Sequence, residues 1–271
     1  MFGTVFASSI GFGVFATLKN KLKSWLFSPE PVSIHQVILD ENFDLIQQNG
    51  KYCGWRLRRE YNPRNSVVFL MHGNSGCAMD YYEPMKEKFP GADIVCVEYP
   101  GFGWNYNKGE TPTIESCAKH VRNFYEWYIR NQYRNIYVVA YSIGTVVAAQ
   151  AFEYAIMEKI RAFILVSPID NINSVIYDNT SIPQFAINLL LGEEPTLEYW
   201  KKTLTWTQLK FFVFIGNRDE VVKPERSLQV VRSIPADRVE VFFLPVGHAD
   251  LLPKISDNLW KRIHSVENLN L

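Results

Sequence analysis

The chain has 271 residues, of which 47% are hydrophobic and 14% aromatic, enough for a sizeable core and unlike a disordered polypeptide. Its 28 Lys and Arg balance 28 Asp and Glu, so the charge gives no reason to expect nucleic acid as a partner. The length has room for one large domain or two small ones.

Residues 1–18 carry no charge, and Lys19, Lys21 and Lys23 come next, with Trp25 and Phe27 beyond them. A secretory signal would place its positive charge before the apolar run. The run is at the short end of a membrane span and is diluted by Gly, Ser and Thr. Lysines after it favour a cytoplasmic side for the remainder of the chain, and Trp25 with the lysines suits a helix lying at a lipid interface. Phe2 excludes N-myristoylation. Residues 1–31 are therefore expected to be a separate apolar segment, either a membrane anchor ahead of a cytoplasm-facing domain (32–271) or a helix docked on that domain. The alternative to an anchored protein is a soluble cytoplasmic one.

After the break at Ser28-Pro29-Glu30-Pro31 come three short strand-like runs: Val32–Leu39, Phe43–Gln48 and Tyr52–Arg59. Asn49-Gly50 between the last two predicts a hairpin. The rhythm then changes. Ser66–Met71, Asp93–Val97, Ile136–Tyr141, Ala162–Val166, Phe211–Ile215 and Arg238–Leu244 read as strands, the early ones continuous apolar runs buried on both faces. Helices are predicted between them near Met79–Phe89, Thr113–Asn131, Thr145–Glu158 and Glu225–Ile234, with a last one at Leu251–Val266. This alternation means a mainly parallel sheet covered by helices on both faces. Residues 170–209 interrupt it with two possible helices, Gln184–Leu191 and Leu197–Thr205, and read as a small cap over the strand ends. Cys53, Cys77, Cys96 and Cys117 have no metal-like spacing and read as small buried hydrophobes.

In an open parallel sheet, ligands bind outside the carboxyl ends of the strands. The residues just past the strands there are His72-Gly73-Asn74, Tyr99-Pro100-Gly101, Ser142, Ser167-Pro168-Ile169-Asp170, Gly216-Asn217-Arg218-Asp219 and Gly247-His248. Ser142 stands in Ala140-Tyr141-Ser142-Ile143-Gly144, between a β-branched run and small apolar residues of helical pattern. Small neighbours suit a serine on a tight strand-to-helix turn, where strand and helix approach closely. Such a serine needs a base, and the base a carboxylate to hold its tautomer. Of the five histidines, His35, His120 and His264 lie away from the rim. His72 reads as an imidazole bonded into its own turn, and His248 as the base. Asp219 or Asp170 is placed to supply the carboxylate, with Asp219 favoured. Glu220 reads as solvated and Asp250 as a cap of the last helix. Backbone N–H groups of Ile143 and Asn74 are the expected donors to a tetrahedral intermediate.

The order Ser142, Asp219, His248 resembles that of the α/β-hydrolases. The resemblance covers roughly residues 32–269 and rests on His72-Gly73-Asn74-Ser75-Gly76, Tyr99-Pro100-Gly101-Phe102-Gly103, Ala140-Tyr141-Ser142-Ile143-Gly144, Asn217-Arg218-Asp219-Glu220-Val221-Val222 and Gly247-His248-Ala249-Asp250. Within that superfamily the chain is most similar to the depalmitoylase and acyl-lipid hydrolase branch. The resemblance implies a mostly parallel eight-stranded sheet with a small helical cap. It also implies Ser142 as nucleophile, Asp219 as acid, His248 as base, and Asn74 and Ile143 as oxyanion donors. No cofactor or metal is implied. The implied partners are an ester or thioester of a small molecule, a lipid or an acylated protein. Three features depart from the pattern. Ala140 replaces the first glycine, and Asn105 stands where relatives often have serine. The cysteine-rich N-terminus of palmitoylated relatives is absent.

The expectation is thus a serine hydrolase of carboxylic esters or thioesters. Apolar cap residues such as Ile176, Tyr177, Phe185, Trp200 and Trp206 would suit an acyl chain if they line a groove above Ser142. A non-catalytic binding protein of the same fold is the second reading, opposed by the complete Ser-Asp-His set. A small peptidase is the third, opposed by the lack of room for a large selecting domain.

Overall fold

The computed structural model describes residues 16–32, 40–107, 112–153, 155–205 and 209–265. The apolar run up to residue 15 and the strand expected at Val32–Leu39 lie outside them, apart from Val32. Ten strands are described: β1 (Ser28–Pro29), β2 (Phe43–Gln48), β3 (Lys51–Leu57), β4 (Ser66–Met71), β5 (Ser75–Gly76), β6 (Asp93–Val97), β7 (Asn135–Tyr141), β8 (Ile160–Val166), β9 (Lys210–Gly216) and β10 (Val239–Leu244). Eight of them form one sheet in the order β10-β9-β8-β7-β4-β6-β3-β2. From β10 to β6 every pairing is parallel; β3 and β2 add an antiparallel edge. The β2–β3 hairpin turns at Asn49 and Gly50, both with positive φ (52° and 75°), the conformation that makes Asn-Gly favourable there.

The helices are α1 (residues 16–26), α2 (Tyr82–Met85), α3 (Ile114–Phe124), α4 (Arg130–Gln132), α5 (Ile143–Ala151), α6 (Ile172–Asn179), α7 (Gln184–Leu191), α8 (Thr196–Thr205), α9 (Pro224–Ser233), α10 (His248–Leu251) and α11 (Asp257–Ser265). α3 runs into α4 through a π turn at Tyr125–Ile129. Alternate residues of the central strands feed opposite faces. Val67, Phe69 and Met71 of β4 pack with α3, α5 and α9, whereas Val68 and Leu70 pack with Met85, Leu251 and Trp260.

Four helical expectations are corrected. The segment predicted as a helix over Met79–Phe89 is a 3-10 turn at Ala78–Tyr81 followed by the single turn of α2. Pro84 lies within it, and Phe89, with φ of 58°, lies in the left-handed region just ahead of Pro90. α5 begins at Ile143 rather than Thr145 and ends at Ala151. The last helix is divided into α10 and α11, with Pro253 between them. Asp250 therefore lies inside α10, whose N-cap is Gly247.

The interruption between β8 and β9 holds three helices rather than two. The additional one is α6, which starts where the Asn171 side chain accepts the Ser174 N–H at 3.0 Å. α8 does not sit over the strand ends. Its Trp200 is fully buried against Phe163 of β8 and Phe211 of β9, with ring centroids 5.6 and 5.8 Å apart.

α1 is bound to the body by its apolar face and by the β1 strand at its C-terminal end. Leu22 and Phe27 are buried, and Leu18, Trp25 and Leu26 pack on the same core. β1 pairs in parallel with β5, the Ser28 N–H reaching the Asn74 carbonyl at 2.7 Å. Among the described residues no helix is long and apolar enough to cross a membrane.

Candidate active site

Topology fixes where a site can form. From β4 the chain moves to β6 on one side, then crosses back to β7 on the other. The loops after β4 and β7 therefore leave in opposite directions, and a crevice opens between the carboxyl ends of these two neighbours. Met71 is in register with Ala140, so His72-Gly73-Asn74 and Tyr141-Ser142-Ile143 face each other across it.

Ser142 is the N-cap of α5, with φ of 54° and ψ of −123°. A non-glycine residue in so sparsely populated a region costs on the order of 1–3 kcal/mol, which the surrounding packing must offset. Here β7 and α5 are both deeply buried, and the turn between them is too tight for a side chain at residue 144. A Cβ on Gly144 would lie 2.6 Å from the carbonyl oxygens of Met71 and His72. The methyl of Ala140, in contrast, fits fully buried in β7.

The Oγ of Ser142 lies 3.0 Å from Nε2 of His248, and Nδ1 of His248 lies 2.8 Å from Oδ2 of Asp219. A carboxylate facing Nδ1 assigns the ring proton there, which leaves Nε2 free to accept the serine hydroxyl. Asp219 is 6% exposed. Its Oδ1 accepts the N–H groups of Val221 and Val222 at 3.0 and 2.8 Å, and its Oδ2 also accepts the hydroxyl of Ser167 at 2.6 Å. Burial pushes this carboxyl up, but the hydrogen bond and charge of His248, with those donors, outweigh burial and hold it below the ordinary aspartate value. The Tyr141 hydroxyl donates to the His248 carbonyl at 3.0 Å, and its ring stacks on the imidazole.

The other candidates lie elsewhere. Asp170 accepts its neighbour's N–H and faces Arg226 at 3.5 Å, away from His248. Glu220 is exposed. His72 is fully buried, and its Nδ1 lies 2.9 Å from the Gly73 carbonyl. His120 lies in α3; His35 and the side chain of His264 fall outside the described residues. Among the described residues no group of three His, Cys, Asp or Glu side chains is placed to hold a metal ion.

Two residues of the site have no role assigned from the sequence. Ser167 comes just past β8, in the segment that also holds Asp170, the acid the sequence offers second to Asp219. Tyr141 reads there as the last residue of a buried strand.

Asn74 and Ile143 border the same slot as Ser142. Ile143 is the first residue of α5, so its N–H has no partner within the helix. The loop bearing Asn74 is clamped: Tyr81 Oη accepts the Gly73 N–H at 3.1 Å, and the Asn74 amide donates to the Trp25 carbonyl at 3.3 Å. The slot is apolar and measures ≈ 30 Å³; Leu26, Ile172, Val175 and Val222 are among its walls. Ser142 also borders a larger, more polar cleft of ≈ 660 Å³, which His248, Ser75, Asp80 and Asn179 line as well. Trp25 borders both. The apolar walls beside Ser142 thus come from α1, from α6 and from Val221 and Val222 in the loop after β9. Trp200 packs on the sheet instead, and Phe185 is 74% exposed. Trp206 lies outside the described residues.

The sequence model of a family described as alpha/beta hydrolase fold matches residues 66–190. No curated protein sequence matches. Solved structures do. An alpha-beta hydrolase from Vibrio vulnificus is 14% identical with a TM-score of 0.63, over 94% of this chain and 92% of that one. An esterase from Pyrococcus furiosus is 18% identical with a TM-score of 0.59, over 90% and 97%. Mouse alpha/beta hydrolase domain-containing protein 10 is 17% identical with a TM-score of 0.53, over 84% and 98%. At such identities the likeness speaks to the fold.

Proposed function

Its fold being that of the α/β-hydrolases, we propose that this chain is a serine hydrolase of carboxylic esters or thioesters. The observation that carries this reading is the unbroken line from Ser142 Oγ through His248 to Asp219, at 3.0 and 2.8 Å. Esterase activity in a structural neighbour, the Pyrococcus furiosus protein, agrees with it.

In the first half of the reaction His248 Nε2 takes the hydroxyl proton as Ser142 Oγ bonds to the acyl carbon. Asp219 holds the imidazole in place and stabilises its cationic form. The carbonyl oxygen becomes an oxyanion, which the N–H groups of Ile143 and Asn74 stabilise; one such donor contributes roughly a hundred- to a thousandfold in rate. The bond to the leaving oxygen or sulfur then breaks, and that atom leaves with the proton from His248. In the second half His248 takes a proton from water, the remaining hydroxide attacks the acyl carbon, and the acyl bond to Oγ breaks. Oγ recovers the proton, and a carboxylic acid is released.

The two cavities suggest how a substrate lies. The apolar slot beside Ile143 suits the acyl arm. The polar cleft on the His248 side suits the alcohol or thiol that receives the proton. Steady-state assays with a p-nitrophenyl ester, an acyl thioester and a peptide anilide test the reading. Turnover of the first two alone is expected; turnover of the anilide alone would replace it with a peptidase.

A further inference from the structure

We propose that the acyl arm is a medium-length unbranched chain of roughly eight carbons, threaded from Ser142 between α1 and α6 into a second cavity, with Leu26 and Ile172 as the doorway. The proposal rests on the serine-hydrolase reading above and names its substrate class.

A separate cavity of ≈ 150 Å³ lies behind the slot at Ser142. The two share Leu26 and Ile172 as walls, so these side chains alone are common to both spaces. Phe27, Ile114 and Leu191 continue the apolar lining. Ile172 is 3% exposed and fixed in the core, whereas Leu26 is half-buried on the last residue of α1. Leu26 is therefore the side of the doorway with freedom to turn.

Volume sets the length. An apolar cavity of this size takes a benzene-sized group, about six carbons, and the slot takes about one more beyond the carbonyl. Chemistry sets the end. Glu194 and Asn173, with Lys23 and Thr113, supply the cavity's polar wall. The Asn173 amide is already committed to Asn188 and Gly192, and Oε1 of Glu194 is buried without a partner. A longer chain would press methyl groups against that oxygen and gain nothing. Up to that point each methylene removed from water should raise kcat/KM roughly fourfold.

The test is a chain-length profile with p-nitrophenyl esters from acetate to palmitate on the full chain, alongside Leu26→Trp and Leu26→Ala. For the unmodified protein kcat/KM should climb to about eight carbons and then stop rising. Leu26→Trp, which blocks the doorway, should lower the octanoate-to-acetate ratio at least about tenfold; Leu26→Ala should preserve or raise it. If Leu26→Trp does not fold, Leu191→Trp narrows the cavity from the cap side and is read in the same ratio. A profile that falls from acetate onwards, or a ratio untouched by the tryptophan variants, overturns the proposal while leaving the hydrolase reading intact. Failure to hydrolyse any ester or thioester removes that reading, and the inference with it.

Discussion

One oxygen of Asp219 holds two partners at once: Oδ2 accepts the Ser167 hydroxyl at 2.6 Å and faces Nδ1 of His248 at 2.8 Å. Ser167 is itself in the left-handed region, with φ of 48°. It is the residue just past β8, pinned by its N–H to the Phe214 carbonyl of β9 at 3.0 Å. The carboxylate is thus aimed from two neighbouring strands. Ser167→Ala should lower kcat by about tenfold with KM little changed, since a hydrogen bond to a charged group contributes about 1.5 kcal/mol or more. Steady-state kinetics on the variant read this directly.

Asp219 also links stability to pH. Its carboxyl ionises below the ordinary value of 3.8 despite burial. A carboxyl that is more acidic folded than unfolded contributes stability above its ordinary value and loses that stability as pH falls through its lower folded value. Asp219→Asn removes this linkage and should cost on the order of 10⁴ in kcat by favouring the wrong imidazole tautomer. Urea unfolding should find the stability difference between the two proteins larger at neutral pH than at the lowest pH where both still fold.

Gly144→Ala should cripple the site through its backbone. The added methyl would meet two carbonyl oxygens at 2.6 Å, and strand and helix must part to admit it. These carbonyls belong to Met71, the last residue of β4, and to His72 just past it, so displacement carries Asn74 away from Ser142. Loss of an oxyanion donor and misplacement of the nucleophile together should cost at least about a hundredfold in kcat. A near-native circular dichroism spectrum with kcat lost would separate this effect from global unfolding.

All four cysteines are free and buried. Burial, with the charges of Glu98 and Asp80 added, pushes the Cys77 thiol up to about 12, and burial pushes Cys117 to about 12 as well. The thiolate is the reactive form, so the native protein should react slowly with a thiol reagent at neutral pH. Four equivalents should appear when the chain is unfolded in denaturant. Fast labelling of the native protein would contradict the burial.

The central strands were legible because continuous apolar runs ended in His-Gly, Tyr-Pro-Gly and Ser turns; Ser66–Met71 and Asp93–Val97 lie where the pattern put them. That Ser142, Asp219 and His248 would meet was legible because topology brings the ends of different strands together. Helix limits were less so. Pro84 and Pro253 stood within patterns of helical period, and α6 carries two asparagines and an aspartate among its eight residues. The walls of the site were least visible. Trp25 and Leu26 lie beyond a charge-free run and three lysines, a setting that suggests lipid, whereas here they close the space beside Ser142. Their role arises from the β1–β5 pairing and the Asn74–Trp25 contact, between residues that no local pattern links. Ser167 was hidden for the same reason, its partner lying 52 positions away.

The proposed chemistry is tested most directly by labelling with a fluorophosphonate and mapping the modified peptide. We expect one adduct per chain, on Ser142, in the unmodified protein. Ser142→Ala should show neither labelling nor ester hydrolysis while unfolding at a similar temperature. Equal labelling or equal hydrolysis in the alanine variant would contradict Ser142 as the nucleophile.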